Sequence, residues 1–122
     1  MDKGLGRLRI KRFSEESDAV SLPKEIVSSA RALEYAPHRY FKIEGAVKTV
    51  PIVNLTLTRM RPEGIANAVV LMRLAFQGRH DRRPPVRIRK STENRFLVVD
   101  GNSTVAIAAA AGWPDVPCVV DE

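Results

Sequence analysis

One cysteine, two histidines, few aromatic residues and no long apolar run limit what this 122-residue chain can do. Cys118 has no second cysteine for an internal disulfide, and no Cys or His near it in sequence gives metal-site spacing. A buried place on a strand is expected for it. His38 and His80 lack companions at ligand spacing, so both are expected in solvent and no metal site is expected. No stretch of about 18 apolar residues is present to span a bilayer. The opening residues, MDKGLGRLRIKRF, contain no apolar signal core, so a cytoplasmic protein with no membrane partner is expected. Aromatics make up 6% of the chain. Phe76 is expected to pack inward, Trp113 to plug the core after a helix stop, and Tyr35, Tyr40 and Phe41 stand apart from the cationic region. Stacking on the bases of single strands therefore has little support.

Positive charge is abundant but uneven. The net charge is +6, yet no Lys or Arg follows Arg95, where Asp100, Asp115, Asp121 and Glu122 make the end acidic. Between Arg59 and Lys90 stand Arg59, Arg61, Arg73, Arg79, Arg82, Arg83, Arg87, Arg89 and Lys90, opposed by Glu63 and Asp81. A belt of Arg79, Arg82, Arg83, Arg87, Arg89 and Lys90 can grip a phosphate backbone without reading bases, or engage an acidic protein. The plainer alternative is a solvated face that keeps a small protein soluble.

With 44% hydrophobic residues the chain can bury a core of its own, and its length suits one domain. Residues 1–20 read as a basic arm, mobile or adding one short strand around Leu8–Ile10, followed by a single domain over 21–122. Ile26, Val27, Ala30 and Leu33 share a face, which predicts a helix over 22–33 with Ser21 as its cap, Pro23 in its first turn and Pro37 as its end. VKTVPIVNLTL is β-branched, with Pro51 marking an edge strand or a break. Ile65, Val69, Met72 and Phe76 predict a helix over 65–77 stopped by Gly78. VRIRK and RFLVV form a hairpin around STEN, with VRIRK turning a cationic face outward. A helix buried on nearly all sides runs from Ser103 to Ala111 and stops at Gly112, before the short strand VPCVV. Strands and helices mix without regular βαβ alternation, so the fold class is α+β.

The turn Asp100-Gly101-Asn102-Ser103-Thr104 leads a strand into a helix. Such a junction presents unpaired amides and the positive end of the helix dipole. Gly101 permits close approach or a positive φ, Asn102 or Ser103 can cap the helix, and the hydroxyls of Ser103 and Thr104 can donate to phosphate oxygens. The same residues also make a sound turn with no ligand.

The order TRMRPEG, helix, PPVRIRK, RFLVVDG, alanine-rich helix, GWPDVPCVV resembles the ParB/sulfiredoxin superfamily over about residues 47–121. Members pass from a strand to a loop of the form (L/M)-x-P, a helix, a P-(I/V)-x-(V/I) strand, and a strand ending in Gly-x-x-Arg or Asp-Gly-His-His-Arg that opens a helix. The resemblance implies a small mixed sheet with packed helices and a turn that binds nucleotide phosphates, ATP or CTP with magnesium. Gly101, Asn102, Ser103 and Thr104, with Arg59 and Arg61 nearby, would be its phosphate-binding residues.

This chain departs from the pattern at the turn. Asn102, Ser103 and Thr104 stand where members carry one or two Arg, so neutralisation of a triphosphate has to come from the Arg59–Lys90 region, the arm or a metal ion. A neutral donor in place of a bidentate Arg removes about 1.5–3 kcal/mol. Sulfiredoxin chemistry needs a Cys at the turn, and this chain has none there. The free-serine kinases of the superfamily resemble it in MRPEG and VVDG. In that likeness Asp100 matches an aspartate of the motif, and Glu63 falls within one position of the catalytic carboxylate, although both His and the Arg are missing. The helix-turn-helix with which ParB proteins recognise their site would begin about where this chain ends, so base-specific recognition is not expected. Three functions stay open: a ParB-like phosphate-binding protein in a DNA-associated or regulatory role, a small-molecule kinase using Glu63 and Asp100, and a non-catalytic interaction module.

Overall fold

The computed structural model describes residues 5–9 and 19–121, with side chains from residue 22 onward. The rest of the basic arm, where mobility was expected, lies outside the described residues. Strand β1 (Leu5–Arg9) pairs antiparallel with β2 (Ala19–Pro23) as a two-stranded sheet. A five-stranded mixed sheet carries the rest of the molecule. Its members are β3 (Lys48–Pro51), β4 (Leu55–Thr56), β5 (Val86–Thr92), β6 (Arg95–Asp100) and β7 (Asp115–Val120), in the order β3-β7-β5-β6-β4. Among the described residues four helices accompany it: α1 (Lys24–Arg31), α2 (Pro37–Tyr40), α3 (Pro62–Phe76) and α4 (Asn102–Ala110). The fold is α+β, and among the described residues no helix is long and apolar enough to cross a membrane.

The first helix differs most from its expectation. Ser21 does not cap it, because β2 takes Ser21 up opposite Arg7. Pro23, expected in the first turn, is the N-cap with an extended φ/ψ of −54°/143°, and the helix starts one residue later. Pro37 does not end α1, which stops at Arg31. Instead it opens α2, where a missing N–H costs nothing at the first helical position.

Elsewhere the local signals hold. Pro51 closes edge strand β3, and a 3₁₀ turn at Ile52–Asn54 separates it from β4, so the proline marks both an edge and a break. In α3 the residues Ile65, Ala68, Val69, Met72 and Ala75 are buried. Pro62 at its amino end extends the helix three residues earlier than the apolar spacing predicts. Gly78, at φ +75°, ends it, with Arg79 N–H donating to the Leu74 carbonyl and Gly78 N–H to that of Ala75. The same double closure recurs after α4: Gly112 is at φ +80°, Trp113 N–H donates to Ala108 and Gly112 N–H to Ala109.

Cys118 is fully buried on β7, and burial pushes its thiol up to about 12. Pro117 fits this inner strand because pairing to β5 begins only at Cys118, so at Pro117 a neighbour is present on the β3 side alone. Trp113 is buried as expected: its Nε1–H donates to the Leu33 carbonyl at 3.0 Å, and its ring lies 4.9 Å from Tyr40. Phe76 packs against the core as expected but is only partly buried. One side packs on Tyr40 at 5.4 Å, while the Arg39 guanidinium lies 4.0 Å from its centroid.

Candidate functional site

Strand β6 delivers Asp100 to the sheet margin, and the chain then reverses through Gly101 at φ +107°, ψ 19° into α4. Gly101, not Asn102 or Ser103, is the N-cap, and no side chain caps the helix. A Cβ at Gly101 would meet Val86 Cγ2 at 3.3 Å, so the glycine is required both by its dihedral and by the closeness of β5. The first-turn amides of α4 thus keep the positive end of the dipole uncapped.

Asn102 has a different task from the capping role expected of it. Its Oδ1 accepts from the Thr58 N–H at 2.8 Å, and its Nδ2 donates to Thr58 Oγ1 at 3.1 Å. Thr58 Oγ1 in turn donates to the Val98 carbonyl at 2.7 Å. One side chain therefore pins the segment before α3 to the start of α4, which brings Arg59 and Arg61 alongside the turn. The helix starts also lie close together: a Cβ at Gly64, in the first turn of α3, would sit 3.0 Å from Ser103 Oγ.

Between these elements lies a cavity of about 230 Å³ lined by Arg59, Arg61, Gly64, Arg83 and the stretch Val99–Thr104. Arg59, Arg61, Asp100, Gly101, Asn102, Ser103 and Thr104, all singled out in the sequence, come together there. Arg83, counted with the belt, is the residue that sequence reasoning missed. Its backbone forms a parallel bridge with Phe41, with Arg83 N–H donating to the Tyr40 carbonyl and Lys42 N–H to the Arg83 carbonyl. This fixes its side chain so that Nε donates to Thr104 Oγ1 at 3.0 Å. Burial lowers the guanidinium's affinity for its proton, and Asp100 partly offsets this. No carboxylate ion-pairs Arg59, Arg61 or Arg83 among the described residues. A cation therefore stands beside the turn, contributed by a loop about twenty positions upstream across a long-range contact with no local sequence signal.

The remaining candidates disperse. Glu63 is exposed in the first turn of α3 and is not among the residues lining the cavity. Arg87 and Arg89 point outward from β5 and pair with Asp121 at 3.0 and 3.7 Å. Lys90 is exposed on the same strand, Arg79 lies beside the end of α3, and Arg82 turns to a different recess from Arg83. Among the described residues no group of three or more His, Cys, Asp or Glu is placed to hold a metal ion.

No family model matches the chain. It is similar to the nucleoid occlusion proteins of Bacillus thuringiensis (strain Al Hakam), Bacillus mycoides (strain KBAB4) and Bacillus anthracis (strain A0248). Each is 25% identical over 80 residues, 65% of this chain. The chain spans 28% of the length of these curated relatives. Among solved structures it is similar to the C-terminally truncated chromosome-partitioning protein ParB from Caulobacter crescentus complexed with CTP-γ-S. That likeness has 23% identity and a TM-score of 0.49, covering 64% of this chain and 45% of the other.

Proposed function

We propose that this chain is a ParB-like protein whose cavity at the start of α4 binds the phosphates of a nucleotide, CTP or ATP, in a DNA-associated role of the kind named for its relatives. The observation that carries this reading is Arg83. A half-buried guanidinium tied to Thr104 and offset only in part by Asp100, with no ion pair among the described residues, gains from an added anion, and the uncapped amino end of α4 lies beside it. Arg59 and Arg61 add two further positive charges. Asp100 is the one carboxylate lining the cavity, so magnesium would be held by the nucleotide's own phosphates, with Asp100 as its protein-side neighbour.

Phosphoryl transfer would need Glu63 and Asp100 at one hydroxyl. Asp100 lines the cavity and Glu63 does not, which supports binding over catalysis.

The test is thermal denaturation of the full chain with CTP, ATP, GTP and ADP, each with and without magnesium. A ligand at one hundred times its dissociation constant adds about 2.7 kcal/mol. Arg83→Ala should weaken the effective nucleotide by about 1.5–3 kcal/mol, roughly 10- to 150-fold in affinity. No response to any nucleotide, or a response indifferent to Arg83→Ala, would overturn the proposal.

A further inference from the structure

A second recess, of about 420 Å³, lies between α2 and the carboxyl end of α3. His38, Arg39, Lys42, His80 and Arg82 line it, and Asp81 is the single acid among the lining residues. Its guanidiniums are held in a particular way. Arg39 donates to the Phe76 carbonyl and lies over the Phe76 ring, and Arg82 Nη1 donates to the His38 carbonyl at 2.9 Å. A carbonyl fixes a guanidinium without neutralising it, whereas a carboxylate does both. Arg87 and Arg89 show the second case, since both lean on Asp121. Lys42 is exposed and has no ion pair among the described residues.

The recess therefore offers three positive charges, two of them already positioned and none in an ion pair among the described residues, against the single acid Asp81, so part of the ordering cost falls away before a ligand arrives. An anion is the charge complement of this recess. Arg39 covers the Phe76 ring that lines the recess, so that ring is not free to stack a base, and the charge of the recess is its main feature. Contacts of this charged kind address phosphates, which carry no base identity.

We propose that this recess is a binding site for the phosphodiester backbone of nucleic acid, separate from the cavity at α4 and indifferent to sequence. The choice of nucleic acid over an acidic peptide rests on the DNA-associated reading above. His38 and His80, solvated residues on the sequence alone, become walls of the site, while Arg87 and Arg89 of the basic belt stay outside it.

The experiment is fluorescence anisotropy of the full chain with a labelled random-sequence duplex and, separately, labelled poly-glutamate, over a salt series. Lys42→Gln combined with Arg82→Gln should weaken duplex binding about tenfold and reduce the slope of log affinity against log salt by about 1.8, or 0.9 per lost phosphate contact. Arg87→Gln combined with Arg89→Gln makes the same charge change and should alter binding less than twofold. Lys42→Gln alone, at an exposed side chain, should lower the slope by about 0.9 with the melting temperature unchanged. Equal losses from both pairs would reduce the effect to overall charge and overturn the proposal. So would a wild-type chain that ignores the duplex, or poly-glutamate bound as tightly with the same dependence on Lys42 and Arg82. The nucleotide-induced thermal shift of the Lys42/Arg82 variant should persist, which separates failure here from failure at the α4 cavity.

Discussion

Gly101 carries two constraints in one residue: a φ of +107° and a neighbour, Val86, too close for a side chain. Gly101→Ala should destabilise the fold by about 1–3 kcal/mol, the cost of a strained dihedral. Thermal denaturation should show a drop of roughly 4–8 °C for each kcal/mol lost. A melting temperature equal to wild type would mean the turn can relax without the glycine. Its role was legible from its place between a strand and a helix. The role of Arg83 was not, because nothing within ten residues of it points to Thr104. That contact exists only because the backbone at residues 82–84 is tied to residues 40–42.

At the scale of elements, the site is a junction of two helix starts. Asn102 joins them through both ends of its amide. Asn102→Ala should free the 58–61 segment at a cost of about 1–3 kcal/mol for the two hydrogen bonds. Amide exchange at Thr58 should then accelerate and nucleotide affinity fall, while the β5–β6 hairpin keeps its protection. If Thr58 exchanges as slowly as before, the segment is held by something other than Asn102. Elements whose period and punctuation agree were readable: α3 from Ile65, Val69 and Met72 with Gly78, and the hairpin from the alternation of Val86 and Ile88 with Arg87 and Arg89. The start of α1 was misjudged because a strand partner, β1, competes for Ser21, and such partners leave no local trace. The sheet order, with β7 between β3 and β5, rests on long-range pairing that no single segment encodes.

At the scale of the whole molecule, eight of the described cations fall into three settings. Arg59, Arg61 and Arg83 surround the α4 cavity; Arg39, Lys42 and Arg82 share the recess beside α2; Arg87 and Arg89 are offset by Asp121. The belt read from the sequence is therefore not one surface. The core adds a pH dependence of its own. Burial pushes Cys118 from an ordinary value of 9.0, and Tyr40 from 10.0, up to about 12. Both groups are buried neutral, so their contribution is complete below pH 9 and is lost as pH rises toward 12. Cys118 above pH 9 and Tyr40 above pH 10 each cost at most about 1.4 kcal/mol per pH unit until pH 12. Urea denaturation should give a stability that falls above pH 9, and Cys118→Ala should make the fall shallower. Stability that is flat to pH 11 would contradict this.

The chain has a single indole, and it sits where the segment following α1, the end of α2 and the segment following α4 meet. Trp113 is therefore a built-in optical reporter. Its emission should shift to longer wavelength when water reaches that three-way joint, so parting of the helices can be followed in the native chain without attaching a dye.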